Sequence, residues 1–370
     1  MNDSDAAIRA VTASAYTVPT DGPEADGTLS WDSTTVIVVE VEAADQVGTG
    51  WSYTSAGAVS VVDDLLASNV VGKSVMDPAA IAAAMDNAVR NVGRRGIASS
   101  AISAIDIAVW DLKAKMLGLP LARLLGRTRD QVPVYGSGGF TTYDDDRMRA
   151  QIEGWVDDCG VNAVKIKIGE SWGRRTERDL ARVKLARKVI GPSRELFVDA
   201  NGGYQVGAAI RIGKTLDDLG VIWFEEPVSS DNLPGLKAVR AAVTADVAAG
   251  EYGWDLTYFR RTLSADAVDC IQVDVTRCGG VTDFLRIAAV AASYGIDVSA
   301  HCAPHLHAQV AAAVPNFRHI EYFHDHIRIE EHLLFEGALP ARHGVLTVNH
   351  RHRGLGMELK RSDAQHLRVA

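Results

Sequence analysis

From Val132 onward the chain repeats one pattern: a short, almost wholly apolar run, a helical stretch, then another apolar run. The runs are "VPVYGSGGF", "AVKIKIG", "ELFVDAN", "VIWFEEP", "DVAAGEY", "DCIQVDV", "GIDVSAH" and "HIEYF". Helical segments such as "TERDLARVKLARKVIG" and "TDFLRIAAVAASYG" lie between most of them. Strands covered on both faces read as continuous apolar runs, and their alternation with helices selects a parallel sheet. Eight such units predict a closed (β/α)8 barrel. An open doubly wound sheet is the alternative, but no glycine-rich phosphate-binding turn follows any of the strands.

The segment before the barrel is built differently. "TTVIVVEVEA" is rich in β-branched residues and reads as a strand, with "AIRAVTASAYTV" as its partner. "PTDGPEADGTLSW" between them, rich in Pro, Gly and acids, reads as a mobile loop, and the glycine-rich "VGTGWSYTSAG" follows. Three helical patterns come next, the second opened by Asp77 before Pro78. Strands first and helices after predict a small α+β domain over residues 1–125, ahead of a barrel over 126–334. The tail, 335–370, is too long for a barrel helix and is expected to return to the N-terminal domain. The 370 residues suffice for a barrel of about 250 plus a smaller domain.

A formal net charge of −9 argues against a nucleic-acid surface, which needs clustered Lys and Arg, but leaves room for a locally positive site that takes an anion. The four cysteines form no CxxC pair, the start "MNDSDAAIRAV" lacks a signal-peptide pattern, and no apolar run approaches the roughly 20 residues of a membrane span. The expectation is a reduced, cytoplasmic enzyme or binding protein with a small-molecule partner and neither nucleic acid nor membrane.

From the second run onward, each strand ends in an ionisable residue: Lys167, Asp199, Glu225, Glu251, Asp274, His301 and Glu321, spaced by 20 to 32 residues, one βα unit apiece. Any one acid could simply cap the following helix. Seven in succession predict a ring of charge at the carboxyl face, where such barrels keep their chemistry. In "VKIKIG" the period of two places Lys165 and Lys167 on one face, and that face either meets water or points into the ring. Asp199, Glu225 and Glu251 fall on adjacent strands and would repel one another without a cation. Carboxylate oxygens suit Mg²⁺, with Mn²⁺ as a substitute, better than zinc. Lys167 on one flank and His301, oriented by Asp274, on the other would place a base on either side of that cation.

"VKIKIG", "VDAN", "WFEEP", "AGE", "QVDVTRCGG", "SAH" and "HIEYF" together resemble the motif set of the enolase superfamily, in its mandelate racemase subgroup, and the N-terminal unit resembles that family's capping domain. The resemblance implies Mg²⁺ ligation by Asp199, Glu225 and Glu251, with Glu226 behind them. It makes Lys167 one acid/base group and His301 with Asp274 the other. Lys165 and Glu321 would bind the substrate carboxylate, Asn201 would sit close to metal or substrate, and the enzyme would be a homo-oligomer. The implied reaction removes the α-proton of a hydroxy-carboxylate to give a metal-stabilised enediolate. Loss of a β-hydroxyl would then make a sugar-acid dehydratase yielding a 2-keto-3-deoxy acid, and return of the proton would make a racemase or epimerase. Muconate-cycloisomerase-like members carry a lysine at the end of strand six, where this chain has Asp274. Lys165 on the same face, with Mg²⁺ near, is expected to depress the Lys167 pKa so that the amine can act as a base. The two N-terminal loops are expected to offer Thr20, Asp21, Ser52, Tyr53 and Thr54 to the substrate.

Two readings from other classes remain. "HCAPHLH" with His319, His324 and His326 prompts a zinc hydrolase on a barrel, although the first strand lacks the expected HxH. A non-catalytic barrel is the other, and it predicts the loss of at least one charged strand end.

Overall fold

The computed structural model describes residues 6–348 and 350–370. Strands β1 (Ile8–Ala25), β2 (Ser30–Ala43) and β3 (Gln46–Tyr53) form an antiparallel meander. The helix Ile97–Met116 lies across one face of it. Gly48 and Gly50 make this contact possible: a Cβ on either would stand 2.1 or 2.2 Å from a carbonyl oxygen of the helix. This helix is buried nearly all round because the barrel covers its other side. There Asp106 accepts hydrogen bonds from the Thr282 N–H (2.9 Å) and hydroxyl (2.6 Å), and Arg94 pairs with Asp283 at 2.9 Å. Cap and barrel are thereby pinned through buried, partnered polar groups, the only kind an interior tolerates cheaply.

The barrel strands follow in chain order: β4 (Gln131–Gly138), β5 (Ala163–Lys167), β6 (Glu195–Asp199), β7 (Val221–Glu225), β8 (Asp246–Ala249), β9 (Cys270–Val273), β10 (Asp297–Ala300) and β11 (Phe317–Phe323). All eight are parallel, and pairing of β11 with β4, Ile320 opposite Val134, closes the ring. On β5 the side chains of Val164 and Ile166 pack outward with those of Val183 and Ala186 in the main apolar core. Lys165 and Lys167 therefore point inward, and both are buried.

"PTDGPEADGTLSW" is not an irregular loop. Most of it continues β1 and β2 as a long hairpin, with a register break between Pro19 and Glu24 that accommodates the prolines. Its tip turns on Asp26, whose Oδ1 accepts the N–H groups of Thr28 (2.5 Å) and Leu29 (2.8 Å). Gly27 lies so close to the loop after β5 that a Cβ would meet the Ile168 carbonyl at 2.6 Å, and its own carbonyl accepts the Trp172 N–H at 2.9 Å. The hairpin is docked over the barrel mouth by these contacts. The tail touches both units: Val345–Thr347 pairs antiparallel with β4, the Leu355 N–H donates to Asp111 of the long cap helix at 2.6 Å, and the Val369 N–H donates to Ala15 of β1. Among the described residues no helix is long and apolar enough to cross a membrane, and the four cysteines are unpaired.

Candidate active site

Because β5, β6 and β7 are parallel and in register, Lys167, Asp199 and Glu225 stand side by side at the barrel mouth. Lys167 Nζ lies 2.5 Å from Asp199 Oδ2. Lys165, two residues deeper, bridges Glu225 Oε1 at 2.6 Å and Glu321 Oε1 at 2.8 Å. Glu225 Oε2 accepts the Trp223 indole N–H (2.9 Å) and the Gln272 amide (3.2 Å), so its carboxylate is held from below. Glu321 is fixed by the Ser137 hydroxyl at 2.6 Å and the Cys302 N–H at 3.0 Å.

Across the mouth, His301 Nδ1–H donates to Asp274 Oδ2 at 2.8 Å. Asp274 Oδ1 takes both the N–H and the hydroxyl of Thr276 at 2.7 Å, and Arg277 stands 3.4 Å from Oδ2. Burial alone would raise the Asp274 pKa, but the His301 bond and the Arg277 charge hold it well below the usual carboxylate range. The imidazole is therefore fixed in one tautomer, with Nε2 turned away from Asp274, 3.2 Å from Cys302 Sγ and 3.5 Å from Glu251 Oε2. His307 braces the same corner: Nε2 accepts the Val275 N–H at 2.9 Å, and Nδ1–H donates to the Cys302 carbonyl at 2.8 Å.

The mouth holds six buried carboxylates (Asp199, Glu225, Glu226, Glu251, Asp274 and Glu321), with Lys165, Lys167 and Arg277 as the fixed cations beside them. Burial and the neighbouring carboxylates push Glu225 and Glu226 far above the ordinary glutamate range. Glu251 Oε2 and Asn201 Oδ1 are buried without hydrogen-bond partners. Ligand oxygens of Asp199, Glu225 and Glu251 all lie within 4.8 Å of one another. An all-oxygen donor set, deficient in positive charge and with an unsatisfied oxygen, fits a hard divalent cation.

Without a cation at the carboxylates, the balance of charges on Lys167 is set by Asp199. Burial and Lys165 do pull it down, but the Asp199 carboxylate outweighs both and holds the amine well above its ordinary value. The strand alternation placed Lys165 correctly but carried no sign of how tightly Asp199, on the next strand, would pair with Lys167.

The strand-end residues all meet at this mouth. Asn201 follows Asp199 with its N–H donating to Asp199 Oδ1 at 2.9 Å and its φ at 44°. Glu226, Cys302 and Ala303 also have positive φ (37°, 53° and 37°), backbone strain concentrated in the loops that aim the functional groups. The cavity above them measures about 310 Å³ and is lined by Lys167, Asn201, Glu251 and His301 from the barrel and by Asp26, Trp31, Ser33, Thr34, Thr35, Tyr53 and Thr54 from the cap. Of the five loop residues expected there, Tyr53 and Thr54 arrive. Thr20 is not part of this lining, Asp21 faces Arg147 and His324 on the outer flank, and Ser52 donates to the Thr276 carbonyl. Trp31, Ser33, Thr34, Thr35 and Arg277 are cavity residues the sequence did not single out, and His326, noted only as a zinc-ligand candidate, lines the cavity too. The serine and threonines lie in a hairpin strand whose exposure is set by docking, a property no local pattern carries.

Three of the histidines that suggested zinc are engaged otherwise. His305 pairs with Glu331 at 2.9 Å, His307 binds backbone, and His319 lies part-buried in the barrel floor, where loss of solvation and Arg318 drop its pKa to about 3. His301, Cys302 and Glu321 also come within ligand range of one another, but burial keeps the Cys302 thiol protonated and His301 is committed to Asp274.

A family model described as "Mandelate racemase / muconate lactonizing enzyme, N-terminal domain" matches residues 10–126, and one described as "Enolase C-terminal domain-like" matches 147–364. The L-talarate/galactarate dehydratase of Salmonella typhimurium is 34% identical over 334 residues, covering 88% of this chain and 80% of that protein. Its structure with Mg and L-lyxarohydroxamate superposes with a TM-score of 0.90, at 29% identity, over 98% of this chain and 93% of that one. The D-galactarolactone cycloisomerase of Agrobacterium fabrum is 35% identical over 286 residues, 76% of this chain and 74% of that protein. A mandelate racemase/muconate lactonizing enzyme-like protein of Rubrobacter xylanophilus gives a TM-score of 0.94 at 44% identity, over 98% of this chain and all of that one. With both domain models matched in order on one closed barrel and its cap, the chain belongs to the mandelate racemase/muconate lactonizing enzyme family of the enolase superfamily.

Proposed function

We propose that this enzyme removes the α-proton of a sugar acid and expels the β-hydroxyl, giving a 2-keto-3-deoxy acid. The observation that carries the reading is the placement of Lys167 and the His301–Asp274 pair at one cavity, on either side of the Asp199–Glu225–Glu251 cluster. Relatives named as sugar-acid dehydratases, one of them solved with Mg, support it. Asp199, Glu225 and Glu251 would hold Mg²⁺, or Mn²⁺ in its place, which supplies positive charge where a carboxylate must accept electrons as its α-carbon loses a proton.

The remaining work belongs to the protein. Lys165 and Glu321 would bind the substrate carboxylate, and Asn201 would sit close to metal or substrate; Lys165 is held charged by Glu225 and Glu321 and would bring a fixed cation to that carboxylate. One member of the Lys167/His301 pair takes the α-proton onto its nitrogen. The other protonates the departing hydroxyl, so that the C–O bond breaks as water leaves and the resulting enol becomes the keto acid. Racemisation uses the same two groups with the hydroxyl retained. A screen of sugar acids and simple hydroxy acids with Mg²⁺, followed for keto acid and for solvent deuterium at the α-carbon, separates the two. Keto acid supports dehydration; exchange with inversion and no keto acid overturns it in favour of a racemase.

A further inference from the structure

His326 follows β11 and has no part in the proton transfers described above. Its ring is clamped on three sides. Tyr53 of the cap lies face to face with it at a centroid distance of 3.4 Å, and the edge of Phe323 stands 5.2 Å away. The Ala303 N–H donates to its Nδ1 at 3.1 Å. Tyr53 is in turn anchored by its hydroxyl to Glu330 Oε1 at 3.0 Å, an oxygen that also takes the Trp51 indole N–H. Since Nδ1 accepts, a neutral ring carries its proton on Nε2. Burial and the nearby His301 hold the imidazole well below its ordinary pKa, so the ring is neutral. Nε2–H meets no hydrogen-bond partner among the described residues, while the side chain lines the same cavity as Lys167 and His301.

We infer that His326 determines specificity by donating its Nε2–H to a hydroxyl of the substrate beyond the reacting carbons, so that the enzyme selects polyhydroxylated acids over aryl or alkyl hydroxy acids. The inference rests on the dehydratase reading and refines its substrate class. A donor fixed in tautomer and orientation loses little freedom on binding a hydroxyl. An apolar substrate would bury that N–H unpaired, which is how a site built for hydroxyls rejects analogues that lack them. Thr34, Thr35, Ser33 and Thr54 on the cap side of the cavity extend the same polar lining.

The test compares kcat/KM for a six-carbon sugar acid that the wild type dehydrates and for its 4,5-dideoxy analogue, in wild type, His326→Asn and His326→Gln. Asn can keep the acceptor for the Ala303 N–H but is too short to place a donor at the Nε2 position, whereas the Gln amide reaches it. The preference for the hydroxylated acid should fall by about 10- to 100-fold in His326→Asn, with the dideoxy acid little changed, and return in part in His326→Gln. Equal losses on both acids, or no loss on either, would overturn the assignment and leave the dehydratase reading standing. A wild type inert toward every sugar acid would remove both.

Discussion

On β6, β7 and β11 two residues separate the floor of this barrel from its mouth, and the two levels are built on opposite terms; on β5 Lys165 carries the charge down to the level of Phe197. Phe197 and Asp199 both point inward from β6, as Trp223 and Glu225 do from β7 and His319 and Glu321 from β11. At the floor Phe197 stacks on Trp223 at 5.5 Å and meets Tyr135 edge-on at 5.2 Å, while His319, 4.8 Å from Tyr135, is held neutral by loss of solvation. At the mouth the same strand geometry buries carboxylates against one another. The floor gains stability from packing; the mouth carries unfavourable charge that a cation and a substrate relieve. The difference teaches that scaffold strength and chemistry are divided by height within one ring of strands, so mutations at the two heights should fail in different ways.

The largest contrast should come from His301→Asn and Lys167→Ala, each lowering kcat by about 10³-fold or more. His301→Asn should leave the melting temperature near that of wild type, whereas Lys167→Ala strips Asp199 of its paired cation and should lower the melting temperature without Mg²⁺ and regain part of it when Mg²⁺ is added. A large loss of stability in His301→Asn would break the division. Phe197→Ala should do the reverse, costing about 3–5 kcal/mol in denaturant unfolding while the folded fraction keeps its kcat. Next comes the cation: Mg²⁺ at about a hundred times its dissociation constant should stabilise the protein by roughly 2.7 kcal/mol, an effect that Glu225→Gln removes and Phe197→Ala preserves.

The smallest expected effect is pH-dependent and belongs to the floor. An unfolded His319 takes up a proton below about pH 6.5, whereas the folded one resists until about pH 3. Its contribution is therefore fully present above pH 6.5 and is lost as the pH falls toward 3. Between pH 6.5 and 5 the loss is on the order of 2 kcal/mol, and it should be absent from His319→Phe. Parallel stability curves for the two proteins over that range would contradict the assignment of His319 as a neutral ring in the barrel floor.

Much of this contrast was legible in the sequence. The alternation of apolar runs and helices, and a charged residue at each strand end, placed Lys167, Asp199, Glu225, Glu251, Asp274, His301 and Glu321 at one face, because period and spacing are local properties. What escaped depends on contacts between distant segments. Tyr53 and His326 stack across nearly the whole chain, and Thr34 reaches the cavity only because the β1–β2 hairpin docks on the loop after β5. The hairpin itself was hidden by its prolines and glycine, which read as a loop although a register break absorbs them. Lys167 shows the same limit: its inward direction followed from alternation, whereas its tight pairing with Asp199 is a property of the neighbouring strand's side chain.

The account stands on the mouth being a two-sided proton-transfer site, and α-proton exchange tests that most directly. Sugar acids incubated with the Mg²⁺-loaded enzyme in D₂O should form keto acid or gain deuterium at the α-carbon, followed by NMR, with both processes collapsing in Lys167→Ala and His301→Asn. Wild-type turnover or exchange that persists unchanged in both variants would contradict it.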